Sequence, residues 1–536
     1  MSKEISFGHE ARLKVKAGID KATDAVRPTL GAVGMSALIE FPGLDPVDCD
    51  DGKTILLNLD FKDKYEQLGL QKLRKAAIRT STEGGDGTAT TTVLTQALVA
   101  EAFKEIANDS SRIREVRERL SKGLEEVLTE LVKLKREVKE EDIEKIATIS
   151  SLDPEVAKII AEIIKEVGVN GVVTVEKGNK IGYSKEVVKG ARFERGLISS
   201  YFINDFNQER TVLENPYIVL VDRKISLGTQ LKSIMDAIAK TGNRSVLIIA
   251  DDVDGLALAS LIQSSKSVTM QDQSGRQIQG TYDIAVVRNP YNATPARDFL
   301  LDIASLTGAT VISEEAGMKM DTAGIELLGQ AEKVIVTKDN CTIIGGRSGE
   351  GLQERIKAIE TEIETNPSEY VKTRLKDRLA ALTGGIGVVR VGAYTDAEFN
   401  AKKYKFDNAI NATQAALQEG ILPGGGSALM KISENLSHPA VDLFRSALIA
   451  PFFQQVENAG MGKTPNEKYE LASSVHKNGN FGVNFKTKEV VDMFEAGIID
   501  PFKVTRLALE SATAIASSLV SVETVIVSEI EDGDKR

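Results

Sequence analysis

The sequence contains no tryptophan and only two cysteines, Cys49 and Cys341, among its 536 residues. Two cysteines cannot build a disulfide framework, and so few are typical of a protein that stays in a reducing compartment. The three histidines, His9, His438 and His476, are too scattered along the chain for the ligand spacing of a zinc site. These scarcities argue against a disulfide-rich secreted fold and against a structural zinc centre.

Long apolar runs are also missing from the sequence. Runs such as residues 246–250 have the length of a core strand, far short of the ~20 residues that span a bilayer, and residues 1–6 lack the apolar stretch of a signal peptide. Acidic residues outnumber basic ones by 78 to 67, which gives a formal net charge of −11. We therefore expect neither a membrane nor a nucleic acid as a partner, because a nucleic-acid-binding surface is basic.

The hydrophobic pattern predicts both helices and buried strands. Apolar residues recur at steps of three and four between residues 113 and 131, which indicates a long helix with one core-facing stripe: Ile113, Val116, Leu120, Leu124, Val127 and Leu131. Residues 217–221 and 246–249 are short and apolar, as in strands buried on both faces. Asp-Asp-Val-Asp-Gly at residues 251–255 then turns the chain into a helix. A chain of this length is expected to fold as about three domains.

Residues 84–92 carry the strongest chemical signal, reading Gly-Gly-Asp-Gly-Thr-Ala-Thr-Thr-Thr. Glycines let backbone N–H groups approach phosphate oxygens, a helix that begins near Thr88 directs its positive end at them, and Asp86 has the oxygen ligands that Mg²⁺ prefers. The same residues are also ordinary turn chemistry before a capped helix, and in isolation the two interpretations carry about equal weight.

Several further segments decide between these interpretations. Gly-rich or acidic segments lie near both ends of the chain at residues 29–31, 51–52, 85–88, 424–426 and 497–501. In this order they resemble the ATP pocket of group I chaperonins of the GroEL type. The resemblance continues through residues 200–204, 306–315 and 503–506, and it therefore covers nearly the whole chain. No long insertion follows Ile262, so the sequence resembles group I rather than group II chaperonins.

The resemblance implies a multidomain α+β chaperonin fold with nested domains. The mainly helical equatorial ATP domain would comprise residues 1–133 and 419–536, and the small intermediate domain residues 134–189 and 386–418. The α/β apical domain, which would bind substrates, would comprise residues 190–385.

The resemblance also assigns roles in the ATP site. Asp86 matches the Mg²⁺ ligand, Asp500 the carboxylate that binds ribose, and Asp51 one of two acidic residues that orient the attacking water. The full set of residues expected to bind ATP is Thr29, Leu30, Gly31, Asp86, Gly87, Thr88, Ala89, Thr90, Gly425 and Asp500. ATP and Mg²⁺ are the expected ligands, whereas K⁺ is less expected because Ala89 replaces a threonine that helps to bind it.

The second catalytic position is where this chain departs from the family. A gapless match of residues 408–413 places Asn408 where the family has the aspartate that activates water. An amide can hold a water molecule but cannot take its proton. ATP binding is therefore expected to be intact, with slow hydrolysis.

The apical residues that match the family's client-binding groove are Leu197, Tyr201, Phe202, Met235, Leu258 and Ile262. An exposed row of apolar side chains is typical of a binding site. Lys232 and Gln263 stand where the family has apolar residues, so the strength of the groove and the docking of a lid co-chaperonin on it are left open.

The resemblance implies an ATPase that binds unfolded or misfolded polypeptides and folds them in the chamber of a homo-oligomeric ring of seven subunits. It also implies a cytoplasmic protein, of a bacterium or, if virus-encoded, of its host. Asn408 keeps a second function open: a passive holding chaperone or scaffold that nucleotide stabilises with little useful turnover.

Overall fold

The structure is a computed structural model, and it describes residues 3–40, 46–107, 109–168, 171–178, 180–206, 208–271, 277–291, 294–347, 351–366, 368–436, 441–477 and 479–528. The chain forms two compact units. The first joins Met1–Glu162 to Ala393–Arg536, and the second is the central stretch Ile163–Gly392.

Helices make up most of the first unit and also occur in the second. In chain order they are α1 (Gly8–Val26), α2 (Gly52–Asn58), α3 (Lys64–Gly84), α4 (Thr88–Ile106), α5 (Ile113–Leu134), α6 (Glu140–Ser151), α7 (Pro154–Val167), α8 (Lys232–Lys240), α9 (Gly255–Ser264), α10 (Thr294–Thr307), α11 (Gly351–Thr365), α12 (Glu369–Thr383), α13 (Asp396–Glu419), α14 (Ser427–Asn435), α15 (Asp442–Asn458), α16 (Pro465–Lys477) and α17 (Phe502–Val520).

The strands are concentrated in the second unit. They are β1 (Lys3–Phe7), β2 (Ala37–Ile39), β3 (Val47–Cys49), β4 (Val172–Lys177), β5 (Gly182–Phe193), β6 (Thr211–Glu214), β7 (Tyr217–Ile225), β8 (Ser245–Val253), β9 (Thr269–Gln271), β10 (Gln277–Gln279), β11 (Asp283–Arg288), β12 (Gly329–Gln330), β13 (Lys333–Val336), β14 (Cys341–Ile344), β15 (Gly385–Gly392), β16 (Ile421–Pro423), β17 (Phe481–Asn484), β18 (Glu489–Asp492), β19 (Ile499–Pro501) and β20 (Thr524–Ser528).

The first unit is a helical body with one large apolar core, to which α1, α3, α4, α5, α14, α15 and α17 contribute. Its small sheets are antiparallel pairs, β1 with β20, β2 with β3, β16 with β19, and β17 with β18. Helix α5 confirms the predicted apolar stripe, because Val116, Leu120, Val127 and Leu131 are buried and Leu124 packs against the same core.

The second unit contains two mixed sheets. One has the strand order β11-β8-β7-β12, in which β11, β8 and β7 are parallel; the other has the order β4-β15-β5-β14-β13-β6. Alternate residues of β7 enter two different cores, with Val219 and Val221 in one and Ile218 and Leu220 in the other. A sheet covered on both faces explains why the predicted strands read as unbroken apolar runs. The helix predicted after them is α9.

The two units do not by themselves test the predicted division into three domains. The unit boundaries, between residues 162 and 163 and between residues 392 and 393, fall inside the two predicted intermediate segments. The three-domain division therefore stays a prediction. Among the helices of the described ranges, none combines the length and the apolar character needed to cross a membrane.

Candidate nucleotide-binding site

The loop between α3 and α4 has the backbone conformation that the glycines predict. Gly85 ends α3 with a φ of 86°, and Gly87 precedes α4 with a φ of 92°, both in the left-handed region that glycine adopts without strain. No side chain caps the start of α4. Its first N–H groups, together with the helix dipole, therefore present a positive end to an anion beside Asp86.

A second glycine loop leads from β16 into α14. Strand β16 pairs with β19 so that Leu422 lies opposite Asp500, and the N–H of Gly424 donates to the carbonyl of Ile498 over 2.9 Å. Gly425 and Gly426 have φ values of 63° and 74°. The Gly426 N–H donates to the Asp500 carboxylate, which is therefore held at the mouth of this loop.

The carboxyls of Asp86 and Asp500 are close enough for their charges to interact. Burial by the surrounding protein, followed by the charge of Asp86, raises the pKa of Asp500 to about 7 against the opposing hydrogen bond from Gly426. The pKa of Asp86 is also raised, first by the surrounding protein and also by the charge of Asp51, although its side chain is reached by solvent. Two crowded carboxyls with raised pKa values indicate a place that a cation would stabilise.

The loop formed by Thr29, Leu30 and Gly31 follows α1 and is fixed by α15. The side-chain amide of Asn458 donates to the carbonyls of Arg27 and Leu30, over 3.0 and 2.9 Å. Gly31 has a φ of 93°, and a Cβ placed on it would lie 2.6 Å from Oε1 of Gln455. A side chain at this position would need the left-handed backbone conformation and would displace the Gln455 side chain, so glycine is favoured here.

Asp51 begins α2 as its N-cap. Its carboxylate accepts from the N–H and the hydroxyl of Thr54, over 2.8 and 2.6 Å, and from the N–H of Lys53 over 3.4 Å. The next residue, Gly52, packs against the start of α4, because a Cβ on it would lie 3.3 Å from Cγ2 of Thr88. Asp51 is therefore anchored beside the loop that carries Asp86.

Helix α13 brings Asn408 to the same loop. A Cβ on Gly85 would lie 2.1 Å from the Cβ of Asn411, so the two backbones are in direct contact. Asn408 precedes Asn411 by about one helical turn and is half-buried. Helix α13 therefore carries Asn408 alongside the loop that holds Asp86.

The remaining predicted residues occupy the first turn of α4. Thr88 is buried, whereas Ala89 and Thr90 are partly exposed. Ala89 provides no side-chain oxygen, so this turn has one donor fewer for a K⁺ ion than the family pattern.

The donor set of the site suits Mg²⁺ held together with a phosphate. No group of three or more histidine, cysteine or acidic side chains within the described ranges could hold a metal by itself. Mg²⁺ commonly takes one or two carboxylates and completes its coordination with phosphate oxygens and water. Asp86, next to the uncapped start of α4, fits that pattern.

Four residues near the site were missed by the sequence reasoning: Thr54, Ser427, Gln455 and Asn458. Asp51 and Thr54 have the spacing of an N-cap and the third residue of the helix that follows it, so the contact between them could have been predicted from the sequence. Ser427 directly follows the second glycine loop, and its buried hydroxyl has no hydrogen-bond partner among the described residues. Gln455 and Asn458 lie far from the loop in sequence, so no local pattern could reveal them.

The predicted client-binding residues lie in the second unit, where one correction is needed. Tyr201 and Phe202 belong to a short 3₁₀ helix, Ser200–Phe202, and the Tyr201 side chain is 64% exposed. Phe202 is 0% exposed and belongs to the apolar core beneath α8 and α9. The expectation that Phe202 is exposed for client binding is therefore wrong, because its ring fills that core.

The other four predicted client-binding residues are half-buried and pack against the same core: Leu197, Met235, Leu258 and Ile262. Helix α8 and the end of α9 are connected through Tyr282, whose hydroxyl donates to the Met235 carbonyl over 3.0 Å and whose N–H donates to the Ser264 carbonyl over 3.0 Å. Lys232 and Gln263 are exposed on these two helices.

Known proteins match this chain over nearly its whole length. The profile of the TCP-1/cpn60 chaperonin family matches residues 22–529, and the chain belongs to that family. Two solved structures of the chaperonin gp146 from the bacteriophage EL 2 (Pseudomonas aeruginosa), both in the presence of ATP-BeFx, are similar to it. Their TM-scores are 0.66 and 0.64 at 20% and 19% identity, over 98% of this chain and 99% of theirs.

These findings confirm the chaperonin fold and the family resemblance, and they are consistent with a divergent group I chaperonin. Members of this family are ATPases that bind unfolded polypeptides and form oligomeric rings. The protein is accordingly a folding chaperone by family.

Proposed function

We propose that this protein is an ATP-dependent chaperonin that captures non-native polypeptides on its second unit and releases them into a ring chamber after slow ATP hydrolysis. The observation that carries the proposal is the arrangement around Asp86. Two glycine loops, an uncapped helix start and the carboxylates of Asp51 and Asp500 lie around it, as a nucleotide phosphate with a bound cation would require.

Each residue has a distinct task in the proposed hydrolysis. The first N–H groups of α4 bind phosphate oxygens, and Asp500 binds the ribose. When bound, Mg²⁺ would be held by Asp86 and would neutralise charge on the phosphates. Asn408 holds the attacking water with its side-chain carbonyl. The water oxygen bonds to the γ-phosphorus, the bond to the ADP oxygen breaks, and Asp51 accepts the water's proton.

We expect slow turnover because neither Asn408 nor Asp51 is a strong base for the attacking water. Asn408 has no basic oxygen, and part of the lone-pair capacity of Asp51 is taken by Thr54 and Lys53. Steady-state ATP hydrolysis, with and without a denatured protein, tests the proposal. We expect Mg²⁺-dependent phosphate release that denatured protein changes, and none from an Asp86→Ala variant.

The proposed client-binding surface comprises Tyr201, Leu197, Met235, Leu258 and Ile262. Tyr201 is the most exposed of the five, and the other four are half-buried side chains that pack against the core beneath α8 and α9. Lys232 and Gln263 make the surface more polar than the family pattern. For that reason we propose that any lid co-chaperonin that docks there binds weakly.

The small sheets of the first unit support the proposed ring. Among the residues that the structure describes, the sheets β1–β20 and β2–β3 have two strands each, so each strand keeps one edge without a strand partner. Ile5, Phe7 and Ile526 are exposed on the first sheet, and Leu38 and Val47 on the second. Unpaired edges with apolar side chains favour strand pairing between subunits, and a head-to-tail contact of this kind gives a ring when its rotation closes. We propose seven subunits; electron-microscope class averages of the purified protein count them.

The second candidate function is a passive holding chaperone that nucleotide stabilises. Asn408 favours it, because a chaperonin without effective water activation would bind ATP without useful turnover. A protein that suppresses aggregation of denatured protein equally well with ATP, with ADP and without nucleotide would be such a holding chaperone. We propose a cytoplasmic location for either function.

A further inference from the structure

Helix α13 presents three residues on one face toward the candidate nucleotide site. Tyr404, Asn408 and Asn411 are spaced by four and three residues, so their side chains line one side of the helix. Asn411 contacts the backbone of Gly85, which shows where this face points. Tyr404 therefore extends the row beyond Asn408, about two turns from the phosphate loop.

The charges that act on Tyr404 include that of Asp51. Partial burial raises the pKa of Tyr404, and the charges of Asp51 and Asp407, followed by that of Cys49, raise it further. Cys49 and Asp51 are held together at the start of α2, where the Cys49 thiol donates to the Asp51 carbonyl over 3.5 Å. The phenol is therefore close enough to Asp51 and Cys49 for their charges to act on it, and its raised pKa keeps it protonated, as a hydrogen-bond donor.

Packing of the core does not require a tyrosine at position 404. Tyr404 remains 49% exposed, whereas the neighbouring Phe406 and Ala409 on α13 are fully buried. A half-exposed tyrosine contributes little to the core, so its ring is accessible to a ligand. The nearby side chains of Asp51 and Asp407 are carboxylates, which accept hydrogen bonds and do not donate them, so a neutral donor beside them suits an anionic ligand.

We propose that Tyr404 is a further residue of the nucleotide site, whose hydroxyl donates a hydrogen bond to the terminal phosphate of bound ATP. This proposal rests on the proposed function. Tyr404 transfers no proton in it; it stabilises the charge of the γ-phosphoryl group while Asn408 and Asp51 hold the water. A donor at this position helps both ATP binding and turnover, and it has no partner on ADP, which lacks that phosphate.

The test compares Tyr404→Phe with the unchanged protein in direct binding measurements. Isothermal titration with ADP, ATP and ADP plus beryllium fluoride in the presence of Mg²⁺ gives three affinities. Loss of one hydrogen bond to a charged group should weaken binding of ATP and of the beryllium fluoride complex roughly tenfold to a hundredfold. Binding of ADP should be unchanged. The rate of ATP hydrolysis should fall by a similar factor.

Tyr394→Phe provides the matched control. Tyr394 is 80% exposed and lies before the start of α13, so Tyr394→Phe makes the same chemical change on the same segment, outside the row formed by Tyr404, Asn408 and Asn411. We expect it to leave all three affinities and the rate unchanged. Thermal melting of both variants checks that α13 is intact.

The possible outcomes separate this proposal from the proposed function. Equal loss of ADP and ATP affinity in Tyr404→Phe would make Tyr404 a structural residue and overturn the proposal. Unchanged affinities and rate would overturn it as well, while Asp86→Ala still abolished turnover. If the unchanged protein bound none of the three ligands, the proposed function itself would fail, and the role of Tyr404 would fail with it.

Discussion

Gly85 and Asn411 are in backbone contact, and this contact joins the phosphate loop to the helix that carries Asn408. A Cβ on Gly85 would lie 2.1 Å from the Cβ of Asn411 and 2.6 Å from its carbonyl carbon. Real Cβ atoms do not approach other atoms so closely, and the neighbouring atoms here belong to a helix backbone that cannot rotate away. Any side chain at position 85 must therefore separate the loop from α13.

The first prediction is that Gly85→Ala strongly reduces ATP turnover. Two effects add: an alanine at a φ of 86° costs about 1–2 kcal/mol, and its methyl group pushes α13 away from the loop. A displacement of this kind can slow a reaction by ~10²-fold. Gly242→Ala is the control for the first effect alone, because Gly242 has a φ of 83° and nothing within 4 Å of its Cβ position.

Hydrolysis rates and melting temperatures of the two glycine variants are the measurements. A melting loss in Gly85→Ala at least as large as that in Gly242→Ala, with turnover lost only in Gly85→Ala at temperatures where both variants are folded, would support the role of the contact. Normal turnover in Gly85→Ala would show that α13 is not required beside the loop.

The second prediction is that Asn408→Asp raises the rate of ATP hydrolysis severalfold or more. The new carboxylate could accept the proton of the attacking water, and a general base typically contributes roughly 10² to 10⁴-fold. Asn408→Ala should lower the rate, because it removes the group that holds the water. Phosphate release under saturating ATP and Mg²⁺ measures both. A rate that stays the same or falls in Asn408→Asp would mean that another group activates water and that Asn408 is misplaced in the site.

The helical stripe of α5 and the buried strands β7 and β8 could be predicted because their periodicity is local. The two glycine loops could be connected only through the family resemblance, since residues 85 and 425 come together by tertiary folding. The burial of Phe202 could not be predicted from the sequence. Tyr201 and Phe202 are adjacent aromatics in a 3₁₀ helix, and nothing in their sequence says which of the two rings enters the core. Tyr404 lies four residues before Asn408, a spacing that puts both side chains on one face of a helix. That this face points toward the phosphate loop could be learned only from the contact between Gly85 and Asn411.

The third prediction concerns pH and Asp500. Its pKa is raised from 3.8 to about 7 in the folded protein, by burial and by the charge of Asp86. Between these values the folded state keeps a proton that the unfolded chain has released. The stability due to the protonated carboxyl is therefore present below about pH 4 and is lost as the pH rises to about 7.

Asp500→Asn removes this dependence, because an amide does not ionise. The melting temperature of the variant minus that of the unchanged protein should rise by a few degrees between about pH 4 and pH 7 and then stay level. The measurement is made without nucleotide and Mg²⁺, since a bound cation would favour the ionised forms of Asp86 and Asp500. A difference that is constant over this range would show that Asp500 ionises normally in the folded protein.

The last prediction separates the two neighbouring aromatic residues of the second unit. Tyr201→Ser should weaken capture of denatured protein with little change in the melting temperature, because the ring is 64% exposed and contributes contact area to a client. Phe202→Ser should instead destabilise the protein by about 3–5 kcal/mol, as expected when a buried ring leaves a cavity. Lys232→Leu should strengthen capture, since it replaces an exposed charge on α8 with an apolar side chain. Light scattering of an aggregating substrate, with thermal melting of each variant, measures these effects. If Tyr201→Ser captured clients as well as the unchanged protein did, client binding would have to lie on another surface, and Lys232→Leu would then have no effect either.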